Sequence, residues 1–198
     1  METSSYYLPK ILASFARRHP AVSVQITQAL SCQMVPLLKE GALDLMICEA
    51  GVEPRGWPAV ELYREPLHWI TSKHHDTHRQ DPVPLVLAPG NCPFRPVWLS
   101  DCIWRGAAIG AMEKAGRNYR VVSTSLTIAA LQAAVLAGLG VTILTATDLP
   151  EGLRALQPAE GFPPLPDTAS VLLKAPDARQ PVTDALADEI VRGFEAVC

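Results

Sequence analysis

The chain lacks several features that would settle its class at once. No run of about 18 apolar residues occurs, so no segment reads as a membrane span. The opening METSSYYLPK has neither a basic nor an apolar signal region, so no secretory signal is expected and a cytoplasmic location is. No dense cationic face is written into it either. Seventeen Lys and Arg against twenty Asp and Glu give a net charge of −3, which argues against these residues gripping nucleic acid by themselves. The one tight basic cluster, Arg17-Arg18-His19, reads as the dipole-compensating end of a helix.

Catalytic signatures are equally scarce. There is no Walker loop and no G-x-S-x-G, and no pair of carboxylates stands out by spacing. Five cysteines, Cys32, Cys48, Cys92, Cys102 and Cys198, are odd in number and form no C-x-x-C. Reduced thiols of a cytosolic protein fit them, with Cys92 and Cys102 the one redox pair to consider. His74, His75 and His78 echo a zinc-protease spacing, but His75 stands where the glutamate base belongs, and Pro82 and Pro84 follow closely. A solvated loop is expected there and no metal.

What is present is an ordinary globular composition, 48% hydrophobic and 19% charged, sufficient for one large domain or two lobes. Leu8, Ile11, Leu12, Phe15 and Ala16 recur at helical spacing, with Pro9 expected in the first turn and His19-Pro20 as the stop. VSVQI, residues 22–26, alternates and predicts a strand. Ser31 is placed as the cap of a short helix ending at Gly41, and LDLMIC, 43–48, predicts a buried strand. This alternation implies an α/β lobe. Residues 62–72 predict an extended segment broken by Pro66.

A second unit of the same kind follows. Strands are expected at 84–89, 119–124 and 141–145, with helices over 96–116 and, capped by Ser125, over 126–137. The prolines of 150–167 forbid one regular element there. A strand in ASVLLKA and an amphipathic helix carrying Val182, Leu186, Ile190, Phe194 and Val197 close the chain. Gly-Leu-Gly at 138–140 follows a helix and precedes a strand, the reverse of a dinucleotide loop. Gly138 is read as a left-handed helix cap and Gly140 as a tight corner.

Polar residues gather at strand-to-helix junctions: Thr3, Ser4 and Ser5; Ser31; Asn91 to Arg95; Ser123 to Ser125. In open α/β sheets such junctions line the edge where ligands bind. Helix N-termini there offer free N–H groups to an anion, and Arg95 could add a guanidinium.

The order of YYLPKILASFARRHPAVSVQI, LLKEGALDLMI, PLVLAPGNCPFR, AGRNYRVVSTSLTIAALQAAVLAGLGVTIL and FPPLPDTASVLLKAP resembles the effector-binding domain of LysR-type transcriptional regulators. The resemblance covers nearly the whole chain. It implies a fold like the type 2 periplasmic binding proteins: two Rossmann-like α/β lobes joined by two crossover strands, with a small-molecule cleft between them. Lobe I would comprise residues 1–68 plus 168–198 and lobe II residues 69–167. By position the effector contacts would be Ser4, Ser5, Ser31, Cys92, Pro93, Phe94, Arg95 and Ser125. The family also implies a homodimer, tetrameric in full-length members, no cofactor and no catalysis. DNA would be bound only through a winged helix-turn-helix that has no counterpart here. The missing helix-turn-helix suggests an isolated regulatory piece or a shortened reading frame, and just Met1 and Glu2 stand where the family's first strand is expected, so lobe I is expected to lack its opening strand. The alternatives are a solute-binding protein of the same fold and an enzyme, for which Glu49 is the group to name.

Overall fold

A computed structural model describes residues 2–90, 102–147, 149–178 and 180–196. It divides into two compact units. One runs to Arg64 and resumes at Thr168; the other extends from Glu65 to Asp167.

The first unit contains α1 (Glu2–Arg18), α2 (Ser31–Lys39), β1 (Leu45–Glu49), the start of β2 (Ala59–Ser72), nearly all of β7 (Asp167–Lys174) and α5 (Pro181–Glu195). β1 runs antiparallel to β7, with Met46 opposite Leu173 and Cys48 opposite Val171. One core joins Ile11, Leu62, Leu172, Ile190 and Phe194. Phe194 is wholly buried, edge-on to Tyr7 at 5.5 Å and stacked on Tyr63 at 5.4 Å. Burial of one such ring stabilises by about 1.5–3 kcal/mol. The α1–α5 crossing is close because Gly193 presents no side chain: a Cβ there would lie 2.3 Å from Ile11 Cγ1. Arg18, in the last turn of α1, pairs with the buried Glu189 of α5, whose Oε2 also accepts from Arg192 at 3.2 Å.

The second unit contains the rest of β2, β3 (Val83–Leu87), α3 (Ile103–Lys114), β4 (Tyr119–Thr124), α4 (Ile128–Leu136), β5 (Thr142–Thr145) and β6 (Leu153–Ala155). β3 and β4 are parallel, and β3 reaches β5 through a parallel bridge between Leu85 and Val141. β2 takes β5 and β6 as antiparallel partners. A helix covers each face. Ala108 and Met112 of α3 pack with Trp69, Leu85, Leu87 and Ile143. Leu131 and Val135 of α4 pack with Ile70, Val86 and Leu144. The apolar run 131–144 is thus a helix, a corner and a strand, with Leu131, Val135 and Leu144 in the cluster under α4 and Val141 and Ile143 in the cluster under α3.

That corner is formed as the sequence predicts. Gly138 has φ +74°; its N–H donates to Val135 O, and Leu139 N–H to Ala134 O, both at 3.0 Å. These two bonds are the Schellman closure of a helix end. Gly140 lets backbone approach backbone, since a Cβ there would meet Pro84 O at 2.5 Å.

Six local expectations are corrected. Residues 22–26 are not a strand, and Val24 and Ile26 are exposed. A strand needs a hydrogen-bonded neighbour, and among the described residues none pairs with them. Thr3, Ser4 and Ser5 lie inside α1 rather than before it, and Pro9 sits mid-helix. Its ring is on the exposed side, where water can take up the Ser5 carbonyl that Pro9 leaves unbonded. Ser31 is the first helical residue of α2, and the cap position is Leu30. Its N–H is satisfied instead by Gln33 Oε1 at 3.3 Å. Ser125 is not the cap of α4: Thr127 is, accepting from Ala130 N–H at 3.3 Å. Pro66 does not break β2, and the ladder to β5 starts only at Leu67, so on that side no N–H is needed from residue 66.

Candidate functional site

In the first unit, Ser31 opens α2 and Glu49 ends β1. The Ser31 hydroxyl donates to Glu49 Oε2 at 3.4 Å, both residues half-buried. Beside them Cys48 is buried, and its thiol pKa is pushed up to about 12 by that burial and by the carboxylates of Glu49 and Glu53. A thiol held so far from ionisation is a poor nucleophile. The α2 N-terminus keeps first-turn N–H groups that no helical carbonyl can satisfy.

In the second unit, the carboxyl ends of β3 and β4 lie side by side, Leu87 opposite Thr124. Ser125 N–H donates to Leu87 O at 3.1 Å. Its hydroxyl oxygen accepts from Thr127 N–H at 3.2 Å, and Thr127 in turn caps α4. Arg105, in the first turn of α3, donates to Ala88 O at 2.8 Å, just past β3. The result is an exposed hydroxyl-rich turn over a helix N-terminus, a site suited to hydrogen-bond acceptors and negative charge. Thr127 is a member that sequence reasoning missed; the signal was a Thr directly before the apolar run of α4.

Of the expected contacts, Ser31 and Ser125 stand at junctions of this kind. Ser4 and Ser5 lie in the first turns of α1. Cys92, Pro93, Phe94 and Arg95 fall outside the described residues. The histidine run does not stand on one face: His74 and His75 are exposed, while His78 is buried in a 3₁₀ turn, Thr77–Arg79. Among the described residues no group of three or more His, Cys, Asp or Glu is placed to hold a metal ion, and no helix is long and apolar enough to cross a membrane.

The two α/β units, each with a polar junction at a helix start, are parts of a fold found in ligand-sensing regulators. The family of the LysR substrate binding domain matches residues 1–195, and the chain belongs to it. PecT, an HTH-type transcriptional regulator of Dickeya dadantii (strain 3937), is 29% identical over 97% of the chain, which spans 57% of PecT. The CcmR regulatory domain of Synechocystis PCC6803, solved in complex with 2-PG, superposes with a TM-score of 0.71 at 16% identity. That match covers 98% of this chain and 93% of CcmR's. The effector binding domain of QuiR in complex with shikimate gives 0.73 at 14%, covering 96% and 90%. The fold is therefore that of LysR regulatory domains, the periplasmic-binding-protein-like type, as the sequence implied.

Proposed function

We propose that this chain is the ligand-sensing part of a LysR-type transcription factor, taking a small effector whose contacts include Ser31 and Ser125. The family match over residues 1–195 carries this reading. Two neighbours of the same fold hold 2-PG and shikimate, both small molecules. The relatives are regulators, which favours sensing over solute transport. Ser4, Ser5, Cys92, Pro93, Phe94 and Arg95 complete the proposed contact set. In a full-length protein, DNA binding would belong to a helix-turn-helix and the sensing domain would self-associate. Two exposed apolar segments support that association: Val24 and Ile26 in the first unit, Val122 on β4 in the second. Among the described residues β4 pairs only with β3, so its other edge has no strand beside it. An effector acts by binding one conformation more tightly than another.

The test is thermal stabilisation by a panel of small metabolites. A ligand that binds only the folded protein raises Tm in a saturable way. Ser31→Ala and Ser125→Ala should each weaken a stabilising ligand about 5- to 10-fold, the loss of one hydrogen bond. A ligand that binds both variants as tightly as it binds the unmodified chain would remove these residues from the site.

A further inference from the structure

We propose that residues 161–166 form a strap over the core of the second unit, fastened by a proton-operated latch between two 3₁₀ turns, Thr77–Arg79 and Pro158–Glu160. A proton on His78 releases the latch and frees the strap. This goes beyond effector sensing and does not depend on it. The strap is the stretch by which the chain leaves the second unit, ahead of β7 and the division at Asp167. It belongs to no strand, and Pro163, Pro164 and Pro166 leave it few N–H groups for a ladder. Side chains hold it instead. Phe162 and Leu165 pack against the core beneath α3. Trp69 Nε1–H donates to Pro163 O at 2.8 Å, and its ring lies 5.2 Å from that of Phe162. Arg117 sits 3.9 Å over the Phe162 ring and donates to Gly161 O at 2.8 Å.

The latch joins this strap to His78. Arg117 Nη2 donates to the His78 carbonyl at 3.2 Å, so one guanidinium ties the histidine turn to the strap. The His78 ring is buried, and neither of its nitrogens has a hydrogen-bond partner. Glu160 Oε1 lies 3.4 Å from Nε2, yet both Glu160 oxygens already accept from Arg154, and one of them from Gln157 N–H as well. The other charges about the ring are Arg79 and Asp76 on its own turn, which pair with each other at 3.6 Å. β3 packs against that turn with apolar side chains alone. A proton on the ring thus places a cation out of water beside Arg154 and Arg79, with its nearest carboxylate already neutralised. Burial outweighs the attraction of Glu160 and Asp76. Opening the turn returns the imidazolium to water. Because Arg117 holds the same residue's carbonyl, the tie to the strap goes with it. The neutral ring keeps the latch closed above the ordinary histidine value of 6.5, and acid below it opens the latch.

The test reads the Trp69–Pro163 hydrogen bond directly, from the indole N–H resonances of the chain labelled with 15N-tryptophan, between pH 8 and pH 5. Single Trp→Phe variants assign the four signals. The Trp69 signal should move upfield as pH falls below 6.5, toward the position of an indole without that bond. Trp57 of the first unit and Trp104 of α3 should keep their folded positions. In His78→Phe the Trp69 signal should stay at its high-pH position throughout. His78→Gln, also neutral at every pH, gives the same reading should the aromatic variant fail to fold. A Trp69 signal that does not move over this range, or that moves equally in a folded His78 variant, overturns the latch. So does a simultaneous collapse of the Trp57, Trp69 and Trp104 signals, which is unfolding of the whole chain and not release of a strap.

Discussion

His78 Nε2 lies 3.4 Å from Glu160 Oε1, inside the second unit, with the imidazole almost wholly out of water. Glu160 is already committed elsewhere: Arg154 holds both its oxygens, at 2.7 and 2.8 Å, and Gln157 N–H donates at 2.7 Å. Burial lowers the His78 pKa against the pull of Glu160, with Arg154 and Arg79 adding to the lowering and Asp76 opposing it. Arg117 donates to the His78 carbonyl at 3.2 Å rather than to the ring. The histidine is therefore built in as a neutral ring.

Acidification should lower the stability of the chain in two steps. A lowered histidine pKa means that the unfolded chain binds the proton more readily. Stability is then full above the unfolded value of 6.5 and declines as pH falls through the lower folded value. Glu160 is held down at about 2, mainly by Arg154, so its contribution is present above its ordinary value of 4.5 and lost as pH falls toward 2. Tm measured from pH 8 to pH 3 should begin to fall near 6.5 and fall again below 4.5. His78→Phe should remove the first decline and keep the second. A first decline that persists in His78→Phe would assign it to another group.

Two left-handed glycines should respond differently to a side chain. Gly41 and Gly138 have nearly the same φ, +72° and +74°. A Cβ on Gly41 meets open space, whereas on Gly138 it would lie 2.6 Å from His75 Cγ. Gly41→Ala should cost about 1 kcal/mol, the strain of the left-handed conformation alone. Gly138→Ala should cost about 2–4 kcal/mol, strain plus the displaced ring. Urea denaturation of each variant measures the difference. Equal losses would show that the His75 ring moves aside freely.

What could be read from the sequence divides along the same line, between local chemistry and pairing at a distance. The Gly138 cap was legible because a glycine after an apolar helix needs no partner beyond that helix. A strand at 43–48 is legible from its composition, and β1 forms there as Leu45–Glu49, though only Met46 and Cys48 are fully buried. The segment 22–26 has equally good alternation, yet strand formation depends on a neighbour that the pattern itself cannot supply. Ser125 is a good capping residue, but Thr127 stands two residues later and takes that role. The Ser31–Glu49 hydrogen bond joins residues 18 apart in sequence, and Glu49 drew notice only as a lone carboxylate. Nothing in the local pattern of either residue announces the other.

Close packing between α1 and α5 yields a coupled pair. Gly193→Ala should destabilise the first unit by about 1–3 kcal/mol, since the new methyl meets Ile11. Ile11→Ala should also destabilise, by about 2–4 kcal/mol, because Ile11 is 5% exposed in the core. The double variant should lose less than the sum, by about 0.5–2 kcal/mol, because one change makes the space the other fills. Strict additivity in urea denaturation would mean that the helices separate instead of repacking.

Ile26 offers the cleanest probe of self-association. It is 66% exposed on a segment that has no ladder partner among the described residues. A charge there disturbs no core, so Ile26→Glu should change stability by no more than about 0.5 kcal/mol. An apolar side chain used at a contact between copies behaves otherwise, because a carboxylate buried without a partner costs several kcal/mol. Sedimentation across a concentration series should show the unmodified chain moving to a larger species while Ile26→Glu stays monomeric. Val122→Glu, on the free edge of β4, should act in the same direction. If both variants associate like the unmodified chain, neither segment forms the contact, and self-association would have to use another surface.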